Sequence, residues 1–62
     1  MKTYRVVIQH VTEGHIITRP MTQVPRKGDH VFLIPDTYVV TSVAWDLGDA
    51  TTVILTVDHF SN

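Results

Sequence analysis

Four histidines among 62 residues are the side chains best suited to chemistry near neutral pH. His10 and His15 bracket Thr12-Glu13-Gly14, a turn signal, so a hairpin there places both imidazoles near its tip. Two imidazoles need a third ligand and outer support to make a stable metal site. Glu13 could supply a carboxylate, but the expectation is surface histidines that modulate an interface, with no metal and no cofactor. His30 and His59 directly follow Asp29 and Asp58. Neighbours along a strand point to opposite faces, so neither Asp-His step is a ready dyad.

Hydrolytic chemistry wants a nucleophile, a base and an orienting group, or two carboxylates across a cleft. The serines are only Ser42 and Ser61. Asp46 and Asp49 flank Leu47-Gly48, where carboxylates accept hydrogen bonds from local main-chain N–H groups and shape a turn. No Gly-rich phosphate loop, zinc-protease helix motif or calcium loop is present. A chain this short also lacks the volume for a deep pocket. The expectation is a protein without catalytic activity.

Charge narrows the partner. Five basic side chains face six acidic ones, a net charge of −1. Arg26 and Lys27 sit on an expected loop, and Tyr4, Tyr38 or Trp45 could stack a base, but no dense basic stripe supplies the counterion-release term. Nucleic acid is therefore the less favoured partner. The apolar run Val31 to Ile34 is far shorter than the roughly 20 residues of a membrane span. The N-terminal residues do not read as a signal peptide. With no cysteine, disulfides and thiolate zinc are excluded, and a reducing cytoplasm is expected.

The elements that must position these residues are strands. Val, Ile and Thr make up 24 of the 62 residues. β-Branched side chains lose rotamer freedom in a helix and pack well on a pleated surface. Residues 3 to 11 alternate, with Tyr4, Val6, Ile8 and His10 on one face. The chain returns through His15 to Arg19, and Pro20, without an N–H, belongs on an edge. Pro25-Arg26-Lys27-Gly28 suits a tight turn. Residues 29 to 34 read as a short central strand because both faces are apolar. Pro35-Asp36-Thr37 reads as the next reversal. Over residues 38 to 45, Tyr38 and Val40 share one face while Val43 and Trp45 share the other. One extra residue at Thr41-Ser42 would bring all four to one side, which predicts a β-bulge or bend there. Asp46 to Asp49 turns the chain into a last strand, residues 51 to 60, with Val53, Leu55 and Val57 inward. The fold class is all-β: a single domain, residues 1–62, of about five short antiparallel strands curled into a small, partly open barrel.

The pattern Pro25-x-x-Gly28-Asp29-x-Val31-x-Leu33, followed by Tyr38-x-Val40-x-x-Val43, resembles the core of SH3-like small barrels. It is also similar to short accessory proteins encoded by bacteriophages. The match covers residues 24 to 45. The resemblance implies a barrel scaffold and an accessory or inhibitory role against a host factor. The paired aromatics and acidic loop of proline-peptide-binding SH3 domains are not evident.

Protein–protein contact is the expected function. Apolar pairs such as Ile16-Ile17 and Val39-Val40, and Ile54 beside Val53 and Leu55, exceed what one interior can hold, so some reach a surface where a partner or a second copy could cover them. The expected contact residues are Arg26 and Lys27 on the loop, Trp45, Asp46 and Asp49 at the last hairpin, and His10 and His15 at the first. For Trp45 a place as the largest core anchor is the stronger expectation, since a small core gains most from its largest aromatic. A nucleic-acid-binding barrel and a purely structural homo-oligomer are the alternatives.

Overall fold

The computed structural model describes residues 2–33 and 35–60. Five strands run β1 Tyr4–His10, β2 Gly14–Met21, β3 His30–Leu33, β4 Asp36–Trp45 and β5 Thr52–His59. They form one curled sheet in the order β2-β1-β5-β4-β3. The described residues contain no helix, hence none long and apolar enough to cross a membrane. Three of the four pairings are antiparallel, as expected, while β1 and β5 lie side by side in parallel.

Alternation in the three middle strands builds the core. Val6 and Ile8 of β1, Tyr38 and Val40 of β4, and Val53, Leu55 and Val57 of β5 are buried on the concave face. Each such aliphatic side chain contributes roughly 1.5–3 kcal/mol by leaving water. On the convex face Val7, Ile54 and Val39 are only half-buried. Their apolar surface is shared with neighbouring strands, and Val7 lies beside Ile54 in the ladder.

Two bulges set which residues reach the core. In β4, Val40 faces Val57 and Ser42 faces Thr56, so Thr41 is the extra residue, where the phase of the sequence required one. Its hydroxyl donates to the Thr56 carbonyl at 3.1 Å. In β2, Ile8 faces Ile17 and Gln9 faces His15, so Ile16 is extra. That second bulge answers the crowding of Ile16 beside Ile17, because both pack against the core.

β3 is an edge strand and not a central one, pairing only with β4. Two-sided apolarity misled here because Phe32 projects from the edge and stays 73% exposed. Ile34 lies outside the described residues. Asp36 and Thr37 belong to β4 and pair with Leu33 and Phe32, so the reversal is tighter than expected and places Pro35 in the turn. The loop from β2 to β3 turns one residue later than expected. Asp29 N–H donates to the Arg26 carbonyl at 3.0 Å, and Gly28 adopts φ +95°. A positive φ at the third position is the mark of a type II turn. The Asp29 carboxylate closes the turn by accepting the Arg26 N–H at 2.8 Å.

Candidate functional site

The loop after β2 leaves a groove beside β4. Gly28 N–H donates to the Val40 carbonyl at 2.8 Å, and Val40 N–H donates to the Asp29 carbonyl at 2.9 Å. These bonds pin the loop to β4 at Val40. Beyond that point loop and strand diverge. Val24, Pro25, Arg26 and Lys27 form one bank of the groove, and Ser42, Val43 and Trp45 form the other. The open groove between them has a volume of about 550 Å³. Val24 and Val43 pack against the core and make the floor apolar.

Trp45 stands at the rim and is not a core anchor, since it is 48% exposed. The Thr41 bulge turns it to the concave side, where it pairs with buried Val53, but it is the last residue of β4. Tyr4 holds the indole from one side, edge to face, with ring centroids 5.4 Å apart. The Lys2 ammonium covers the Tyr4 ring at 5.4 Å. Arg26 and Lys27 are exposed and make no ion pair among the described residues.

The structure therefore brings together three of the expected contact residues, Arg26, Lys27 and Trp45. The two turn aspartates are occupied locally. Asp46 accepts the Gly48 N–H at 2.8 Å. Asp49 accepts the N–H and hydroxyl of Thr51 and the hydroxyl of Thr52. Those hydrogen bonds hold its carboxyl down at about 2, from an ordinary 3.8. Both side chains shape the hairpin, and Leu47 projects fully exposed from its tip.

The first hairpin differs from expectation. His10 is buried and offers no contact surface. It does not face His15, which pairs with Gln9 and bonds the Thr18 hydroxyl at 2.9 Å on the exposed side. His10 instead meets His59, with ring centroids 4.8 Å apart, because the parallel β1–β5 pairing brings the end of β5 to it. Tyr38 flanks both rings, at 6.2 Å from His10 and 4.8 Å from His59. Burial first, then the Asp36 and Glu13 carboxylates, push the Tyr38 phenol above its usual range.

His10, Glu13 and His59 each offer a ligand atom within 4.8 Å of the others. Zinc would need its ligands closer, roughly 3.4 Å apart for bonds of 2.0–2.1 Å. The donor chemistry also opposes a metal. His10 Nδ1 accepts the N–H of Thr12 at 3.1 Å and of Glu13 at 3.3 Å. Main-chain N–H groups only donate, so Nδ1 carries no proton and the neutral ring holds its proton on Nε2. Neither nitrogen then has a free lone pair. Nε2 lies 3.4 Å from Asp58 Oδ1 but outside hydrogen-bond geometry, while that oxygen accepts the His59 N–H at 2.8 Å. His10 is the latch of the β1–β2 turn. His59 was missed because only the β1–β5 pairing, 47 residues apart at Gln9 and Thr56, reveals it.

Comparison with known proteins gives no match to a family model, to a curated protein or to a solved structure.

Proposed function

We propose that this protein is a non-enzymatic binding module that occupies a surface of another protein through the groove between the β2–β3 loop and β4. One observation carries this reading: a half-exposed tryptophan and two cations without ion-pair partners among the described residues meet around an apolar floor. Aromatic and arginine side chains dominate binding energy at protein interfaces. The carboxylates best placed for chemistry are committed to a turn, and the most buried histidine is committed to another. Both commitments favour binding over catalysis. The resemblance to phage accessory proteins would make the occupied protein a host factor in a bacterial cytoplasm.

The test compares wild type with an Arg26→Glu/Lys27→Glu/Trp45→Ala variant in affinity capture from bacterial lysate, with and without nuclease. Circular dichroism checks that the variant retains its sheet. A protein held near stoichiometry by wild type in both arms, and released by the variant, supports the reading. Nucleic acid as the retained species overturns it in favour of a nucleic-acid-binding barrel. A stable homo-oligomer that holds no lysate protein in either arm favours a structural subunit.

A further inference from the structure

We propose that the groove takes an extended acidic segment of its partner as an added strand on the free half of β4; this deepens the protein-binding reading above and rests on it. Among the described residues the sheet has three open stretches of edge. β2 is one, and it carries donorless Pro20 and a bulge at Ile16, two devices that spoil strand addition. β3 is the second and has only four residues. The third is β4 beyond Val40, where β3 and its loop no longer pair with it.

The direction of the main-chain groups on that stretch follows from the ladder. Asp46 N–H donates to the Thr52 carbonyl at 3.0 Å. Antiparallel pairs alternate between bonded and non-bonded, so Ala44 with Ile54 and Ser42 with Thr56 are the other bonded pairs. Val43 and Trp45 then aim their N–H and C=O groups away from β5, toward the groove they line. Neither residue's main chain meets the loop among the described residues. Four backbone groups thus form an unused template for an extended chain.

Charge selects the chain. Arg26 and Lys27 stand on the opposite bank without ion-pair partners among the described residues, so a strand lying between the banks gains from acidic side chains. Its alternate side chains would rest on Val43 and the Trp45 indole, where apolar residues fit.

The test uses short synthetic probes on the intact protein. The parent probe is an acetylated, amidated hexapeptide of alternating valine and glutamate. Two further versions carry N-methyl groups on one or the other set of alternate amides, and a fourth has lysine for glutamate. Trp45, the single tryptophan, reports binding by its fluorescence. Hydrogen exchange of the Val43 and Trp45 amides reports pairing. In the free protein these two amides should exchange fast while those of Ser42 and Ala44 are protected.

The expected result is binding of the parent peptide with new protection at Val43 and Trp45. One N-methylated version should bind about tenfold or more weaker, the loss of one or two hydrogen bonds, while the other is spared. The lysine version should be weaker too. Equal binding by both N-methylated versions overturns strand addition, as does failure of every peptide at millimolar concentration. A groove-dependent protein captured from lysate would still stand in either case. Equal binding of the lysine version overturns the acidic assignment. Preferential binding of single-stranded oligothymidine overturns both the inference and the reading beneath it.

Discussion

Asp49 shows how a single carboxylate can hold an element together. Its hydrogen bonds to Thr51 and Thr52 favour the ionised form in the folded chain. A depressed folded pKa gives stability that is complete above the unfolded value of about 4 and is lost as pH falls through the folded value. With that folded value at about 2, the melting temperature of wild type should drop between these limits. Asp49→Asn should show a smaller drop across the same window in circular dichroism melts. His10 makes a different contribution. His10→Ala leaves two turn N–H groups without their acceptor and should cost about 1–3 kcal/mol in chemical denaturation. Because Nδ1 accepts the turn N–H groups and Nε2 carries the ring proton, tenfold excess zinc should leave the melting temperature unchanged within about 1 °C, and a clear rise would refute the latch.

Among the elements, β4 carries the most consequence. Its single extra residue decides on which side Val43 and Trp45 lie. Deleting Thr41 should send both to the convex face, because a one-residue slip reverses every side chain beyond it. The expected signs are loss of cooperative unfolding, or red-shifted Trp45 fluorescence if a sheet survives. At the loop, Gly28→Ala places a side chain at φ +95° and should destabilise by about 1 kcal/mol, although nothing lies within 4 Å to obstruct the new methyl. Much of this element layer was legible in the sequence. The phase break between Val40 and Val43 located the Thr41 bulge, and Gly14 and Asp46 to Asp49 located two hairpins. Local rules of period and turn chemistry suffice for such features. They could not place β3 at an edge or show that Ile16 is a bulge, since both depend on which strand lies alongside. For the same reason Arg26, Lys27 and Trp45 could be named from sequence, but not their shared groove or the unpaired main chain of Val43.

The whole molecule rests on a core of seven buried apolar side chains among the described residues. A domain of this size has only about 3–9 kcal/mol of total stability. Leu55→Ala, at the centre of β5, should remove about 2–5 kcal/mol and leave much of the chain unfolded at 37 °C, as read by the urea midpoint. The parallel seam between β1 and β5 has a further consequence for how the molecule assembles. The strand pairings divide the chain into an N-terminal hairpin and a C-terminal three-strand meander, and among the described residues these touch as sheet neighbours only along that seam. Hairpins close within microseconds, but the seam joins residues 47 apart and must wait for both pieces. It is therefore the slow step of folding. Each piece is contiguous in sequence, so a chain nicked in the loop before Arg26 should reassemble from its two fragments, at a rate set by their concentration.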